Sequence, residues 1–485
     1  MKKLTTSLLS LALLAGCNVL DKEPLPSISP TNFFKTADDA EAAITATYDG
    51  IQGTGAYAQD LNVVGEMPSD NCTSSNGDVA AMDNIAWMST TGQVYNVYRE
   101  AYIAVNRANA VLKYVPALDM PGTRKNAILG EARFLRALAY FNLVKLYGGV
   151  PLRLEPTESG APAVLNLPRA TAEQVYQRVV DDLTDAEPLL LSVNPTRATK
   201  GAASALLARV QLTQRNWAAA QAAANKVITS GVGYSLAGNF KSLFPADNKT
   251  ESVFEVQYSG NSDGGTFNIL PDLLLPSPPA TFSFPKFNIP TAELLQYADT
   301  ANDLRWKYNG RTNAGRDHGS YVDGGRGTGN DRGPFVYKWP SNPNGFNSPD
   351  NYYVLRYADV LLMYAEAANE QAGPSADALA KLNLVRQRAG LTALTASSPQ
   401  AASKQTLRNE IDRQRRLELA FEGERWFDLL RYARHNQAEA GAHAVTALDI
   451  IAQKRQGARD VNYLLFPIPL AELNTNTQLQ QNPGY

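Results

Sequence analysis

The densest run of chemically capable side chains lies at 410–431, where Glu410, Asp412, Arg413, Arg415, Arg416, Glu418, Glu422, Glu424, Arg425, Asp428 and Arg431 crowd together. Two carboxylates facing each other across a cleft, about 5–9 Å apart with one kept protonated, would suit glycoside hydrolysis. Here the acids are interleaved with arginines: Asp412 stands four residues before Arg416, and Asp428 three before Arg431. On a helix that spacing favours ion pairs and keeps the acids ionised. The block therefore reads as a structural charge network, and Arg356 with Asp359 reads the same way. Metal chemistry is poorly supplied. Three histidines (His318, His435, His443) and two cysteines (Cys17, Cys72) are too few for a multi-histidine or thiolate centre. The run GGRGTGND at 324–331 offers calcium a single acid and reads as a loop, because dedicated calcium loops carry several acids at fixed offsets. Neither H-E-x-x-H nor a phosphate loop ending in G-K-S/T occurs. No cofactor is expected. With 45 Lys+Arg against 47 Asp+Glu the net charge is −2, which excludes a nucleic-acid binder dependent on basic excess.

The N-terminus reads as an address. Met1-Lys2-Lys3 is followed by a mostly apolar run, Leu4 to Ala15, shorter than the about 20 residues that span a membrane but suited to a secretory signal. It ends in Leu14-Ala15-Gly16-Cys17, which resembles the bacterial lipobox, so residues 1–16 are expected to leave and Cys17 to be lipidated. Several acyl chains on one residue anchor firmly where one chain is marginal. Residues 17–32, with the Pro- and Ser-rich NVLDKEPLPSISP at 18–30, read as an extended leash. Cys72 is then left without a thiol partner.

Helices must position whatever the body does. Apolar residues recur at helical spacing after Thr36, across 91–115, and across 123–147 up to Gly148-Gly149. Thr171 and Gln174 form a capping box for the next helix. The stretch 202–230 is predicted to be a helix pair broken at Arg215-Asn216, with alanines at the crossings, the logic of tetratricopeptide-type hairpins. From about 231 to 350, Gly, Pro, Asn and aromatics take over, with strand-like runs such as 252–258. Helices resume at 356–371, 376–389 and 404–434, and the prolines at 467 and 469 make the tail extended.

Five blocks, EARFLRALAYFNLVKLYGGVPL (131–152), LRYADVLLMYAEAANE (355–370), LNLVRQRAGL (382–391), RRLELAFEGERWFDLLRYAR (415–434) and LLFPIPLAELNTNTQLQQNPGY (464–485), resemble the RagB/SusD family. The resemblance runs from the lipobox to the last residue. It implies a mainly α fold, an α-α superhelix of four tetratricopeptide-like helix pairs with a loop-rich insertion containing short strands. It further implies an N-terminal region at 33–240 and a C-terminal region at 241–485 that carries the ligand-binding loops and closing helices. The family's members are non-catalytic, lipid-anchored outer-membrane proteins facing the cell exterior. They bind glycan nutrients and cap a SusC-like TonB-dependent transporter, which would be this chain's partner alongside an oligosaccharide or polysaccharide ligand.

A sugar offers apolar C–H faces and hydroxyl rims, so its site wants flat rings beside amides, acids and arginine. Trp217, Trp306 and Trp426 fall in framework segments and are expected in the core. Trp87 lies in a polar loop with Asp83 and Asn84 close by and is expected to stack on ligand. Trp339 follows Phe335 and Tyr337, where binding and core readings both stand. Tyr258, Tyr321 and Arg332, with Tyr57, Phe282 and Phe284 behind them, complete the candidates in loop-rich stretches. In this family the ligand-contacting loops vary, so these choices rest on residue chemistry alone. The competing reading is a peptide- or protein-binding scaffold built on the same repeats.

Overall fold

The computed structural model describes residues 33–485 except 239, 241–242, 246, 261–265, 278–279, 281, 300–301, 307–320, 326–328, 340–344 and 439–442. Cys17, the signal, the whole leash and part of 324–331 therefore lie outside the described residues. The chain is mainly helical. Its helices are α1 (Ala37–Asp49), α2 (Asp60–Glu66), α3 (Gly92–Tyr114), α4 (Gly122–Tyr147), α5 (Ala172–Ala186), α6 (Lys200–Thr213), α7 (Trp217–Ile228), α8 (Tyr357–Ala372), α9 (Ala376–Arg388), α10 (Lys404–Glu418), α11 (Arg425–Ala438) and α12 (Ala447–Lys454), with shorter turns between. Contacts run α1 to α3, α3 to α4, and on in sequence through α8, which also holds α9 and α10. This is the stacked-hairpin superhelix expected from the alanine-rich crossings. Local chemistry sets many boundaries: Thr36 with Asp39 and Thr171 with Gln174 close capping boxes, and Arg215 turns the chain between α6 and α7 at φ 63°. No helix among the described residues is long and apolar enough to cross a membrane.

Among the described residues, six short strands form three antiparallel two-stranded ribbons: β1 (Cys72–Thr73) with β3 (Ile289–Pro290), β2 (Ser252–Val256) with β6 (Tyr352–Arg356), and β4 (Val322–Gly325) with β5 (Arg332–Val336). The ribbons brace the insertion against the helices: β6 leads directly into α8, and β2 contacts α6.

The helix predicted over 404–434 is in fact two, α10 and α11, parted at 419–424. The reason is tertiary. Phe421 (φ 69°) and Gly423 (φ 75°) turn the backbone so that their N–H groups both donate to Glu66, at 2.9 and 3.2 Å. A Cβ on Gly65 would come within 1.9 Å of the Gly423 carbonyl oxygen, so α2 can approach this turn only through glycine. Burial pushes the Glu66 carboxyl from 4.5 up to about 7, against the hydrogen bonds from Asn71 and the turn. An unfolded chain releases that proton near 4.5, so between 4.5 and 7 the folded chain binds more protons and loses stability as pH rises. The shift corresponds to roughly 3 kcal/mol. Glu66→Gln should be the less stable protein at pH 5 but lack this slope, so thermal melts should show the gap to wild type narrowing as pH rises to 8. A constant gap would count against the assignment.

The charged block is a buried network rather than a row of intrahelical pairs. Arg356 bonds Glu251 at 2.6 Å, Glu418 at 2.9 Å and Glu422 at 2.8 Å. Asp359 instead takes Arg209 and Arg415, both at 2.7 Å, so Arg356 and Asp359 do not pair as expected. Asp412 bonds Arg425 at 2.7 Å, while Arg416 reaches Glu293 at 2.5 Å. Of the expected local pairs, Asp428 with Arg431 forms, at 2.9 Å. Through Glu251, just before β2, with Arg356, Arg388 and Glu418, the network ties β6, α9 and α10 together.

Candidate functional site

Three of the expected ligand-stacking rings are walled into the core. Trp87 is 2% exposed, packs against Phe466 with centroids 4.8 Å apart, and donates its indole N–H to the Tyr485 hydroxyl at 2.7 Å. Trp339 is also 2% exposed and stacks on Tyr352 at 5.8 Å and 10°. Tyr321 is 1% exposed, with the Lys338 ammonium 3.8 Å from its ring centre and its hydroxyl 3.2 Å from Glu418. Tyr258 is buried too, its hydroxyl on the Gln52 carbonyl at 3.3 Å, and Tyr57 is buried against Tyr352. A ring covered on both faces has none left for a sugar, so these residues hold the scaffold together. Trp306 and Trp426 are buried as expected, and Trp217 is partly buried against His435. Trp87→Phe should lower stability by about 1–2 kcal/mol, through the lost hydrogen bond and ring volume. Ligand affinity in calorimetry should stay unchanged; a fall there would restore Trp87 as a contact.

Asp83 is a buried fastener. It accepts from the Thr73 hydroxyl and the Ser74 N–H, both at 2.9 Å, and bonds Lys454 of α12 at 3.0 Å. Asn84 is exposed and donates to the Ala80 carbonyl. Both line a cleft of about 480 Å³ beside the β1–β3 ribbon, together with Glu293, Arg416 and Gln453. The charged groups of that cleft already neutralise one another through Asp83–Lys454 and Glu293–Arg416.

The exposed aromatic surface lies further along the same loop. Beyond β1, the Ser74 hydroxyl and the Asn76 amide donate to the carbonyls of Lys286 and Pro285, each at 2.8 Å, stitching the polar loop to residues 282–288. There Phe282, 51% exposed, stacks on Phe346 with centroids 5.9 Å apart and planes 17° from parallel. Phe284 flanks Phe346 at 6.0 Å, with the Lys286 ammonium 4.1 Å from its own ring centre. Phe346 holds a left-handed backbone, φ 65°, which is costly for a bulky residue. The Asp272 carboxylate fixes it by accepting the Phe346 N–H at 2.7 Å. Backbone strain of this kind persists where surrounding structure enforces it, and it gathers at ligand-contacting sites. Asp331 joins the platform by accepting from the Ser277 N–H at 2.8 Å and the Ser283 hydroxyl at 2.5 Å, and exposed Arg332 follows it. Burial lowers the Lys286 ammonium's pKa, while Asp331 and Asp272 oppose the shift.

The platform therefore has an open phenyl face with a carboxylate and loop amides beside it, while the Lys286 ammonium is buried against the Phe284 ring. Such a patch can stack on an apolar ring face and hydrogen-bond its rim. Sequence reasoning reached Phe282 and Phe284 only as secondary candidates and missed Phe346, Asp272 and Asp331. An aromatic after glycine, in Asn344-Gly345-Phe346, was the one signal available.

Two family models match: the one described as SusD family over residues 284–485, and the one described as starch-binding associating with outer membrane over 20–212. SusD-like protein P2 of Formosa agariphila is 28% identical over 514 residues, covering 100% of both chains. The starch-binding protein SusD of Bacteroides thetaiotaomicron is 25% identical over 511 residues, covering 89% of this chain and 86% of its own. A solved laminarin-binding SusD-like protein superposes with a TM-score of 0.76 at 25% identity, over 93% of this chain and 100% of that one. With two models of one family on either half of the chain and relatives aligned end to end, this chain belongs to the SusD/RagB family.

Proposed function

We propose that this chain is a carbohydrate-binding lipoprotein of the outer membrane, anchored through Cys17 and facing the exterior. It captures oligosaccharide or polysaccharide and delivers it to a SusC-like TonB-dependent transporter that it caps. The observation that carries this reading is the open Phe282–Phe346 stack with Asp331 at its edge. Relatives named for starch and laminarin binding support the ligand class. In this reading residues 33–240 form the repeat scaffold, and 241–485 carry the ligand loops and closing helices.

The action is binding rather than bond cleavage. The acids of 410–428 are held by arginines inside the body: burial alone would raise the Glu418 carboxyl, but Arg388, Arg356 and Arg305 outweigh it and hold it below the ordinary carboxylate range. An acid so held is a poor proton donor. The reading is tested by electrophoresis of the mature chain through native gels containing starch, laminarin or other neutral polysaccharides. At least one polymer should retard migration. If none does while the chain captures extended peptides, the peptide-scaffold reading takes its place. Anchoring has its own test. In the native host, Cys17→Ala should abolish incorporation of radiolabelled palmitate and move the chain out of the membrane fraction, whereas a labelled Cys17→Ala protein would contradict the anchor.

A further inference from the structure

A second polar groove lies away from the aromatic platform, where α1 and the loop after it meet β2 and the 192–199 loop. Three depressions of about 190, 350 and 240 Å³ run into one another there. Thr196 and Gln257 line both the first and the second, and Gln52 and Thr266 line both the second and the third. The result is one continuous channel, shaped for an extended chain rather than a compact molecule.

Its charged groups are engaged within the protein: Arg197 bonds Glu131 at 3.1 Å, Arg107 bonds Asp49 at 2.6 Å and Glu100 bonds Arg99 at 2.8 Å, while Glu255 accepts from the Asn248 N–H and the Asn351 amide and Lys249 donates to the Pro245 carbonyl at 2.6 Å. What remains is amide and hydroxyl. The side chains of Asn248 and Gln257 bond each other reciprocally, two N–H···O contacts of 2.9 Å, which fixes both amide planes. A primary amide nitrogen carries two N–H groups, so each residue keeps one that the pair does not use. The Gln52 amide braces the floor by donating to the Gln257 carbonyl at 2.5 Å and to the Thr266 hydroxyl at 3.3 Å. Fixed amide donors in a channel whose charges are already engaged match closely spaced hydroxyl acceptors.

We propose that this groove is a second carbohydrate subsite, which takes a run of neutral hexose units of the same polymer whose other segment stacks on Phe282. The inference rests on carbohydrate capture as the function and adds a second point of attachment. Two attachments on one chain raise the avidity for polymer above that for a short oligosaccharide without any new contact. An extended peptide is the competing occupant, since β2 pairs with β6 along one edge only.

Calorimetric titration of the mature chain with maltohexaose, cellohexaose and laminarihexaose tests the proposal. At least one of these should fill two sites per chain. Thr196→Trp, which places a ring at the junction of the first two depressions from an exposed position, should leave one site. Gln257→Ala should weaken that same site about tenfold, the scale of one lost hydrogen bond. Phe282→Ala should instead weaken the other site, and Thr196→Trp should also cost at least about tenfold in affinity for long polymer. One site per chain, lost with Phe282 and indifferent to Thr196→Trp and Gln257→Ala, would overturn the groove while carbohydrate capture stood. If no hexaose binds even at millimolar concentration, or the groove takes extended peptides alone, the groove proposal is overturned. Should the gels also retain no polysaccharide, carbohydrate capture fails with it.

Discussion

Replacing Phe282 and Phe346 together by alanine is expected to weaken glycan binding by about 1–3 kcal/mol, roughly 10- to 100-fold, while the fold survives. Half of Phe282 faces solvent, and Phe346 is only partly buried, so neither truncation opens a core cavity. The loss should be larger than for Phe282→Ala alone, because Phe346 both backs the outer ring and becomes the next available face. Asp272→Asn isolates the role of the strained backbone. It keeps an oxygen to accept the Phe346 N–H but removes the charge, so it should cost less than losing either ring. Calorimetry with the polysaccharide retained in native gels, alongside circular dichroism of each variant, separates lost contact from lost structure. Equal affinity in the double variant would remove the platform from the ligand site.

The largest stability effect should come from Glu418→Gln. Glu418 is fully buried and neutralises Arg388, Arg356 and Arg305, at 2.5, 2.9 and 3.2 Å. Burying ions is expensive, and the cost is offset only while every charge has its counter-ion. Removing this one carboxylate leaves excess guanidinium charge inside the body, expected to cost about 3–5 kcal/mol. Glu251 and Glu422 still hold Arg356, which keeps the loss from being greater. Scanning calorimetry should show a markedly lower transition for Glu418→Gln, whereas the exposed pair Arg107→Met should change little. A catalytic role for Glu418 would predict the opposite, near-normal stability with a lost activity.

The helices were largely legible because their signals are local. Capping at Thr171, the stop at Gly148-Gly149 and the break at Arg215-Asn216 each follow from a few neighbouring residues. The site was not legible, for a physical reason. Trp87 sits among polar neighbours in sequence, yet its packing partners are Trp426, Tyr463, Phe466 and Tyr485, brought to it by the closing helices and tail. Phe346 meets Phe282 only because Asp272 turns its backbone. The charge network misled in the same way: Arg356 and Asp359 are neighbours in sequence, but β6 and α8 aim them at different partners. Residue type located the charged core and the aromatic loops. Tertiary approach decided which rings face solvent.

Among all these measurements, one titration decides the matter most directly: mature wild-type chain against a neutral polysaccharide, with the polymer sized by chromatography before and after. Saturable heat that the Phe282/Phe346 double variant largely loses, and polymer recovered at unaltered length, is the predicted outcome. Shortened polymer, or undiminished heat from the double variant, would contradict capture by an inert aromatic platform.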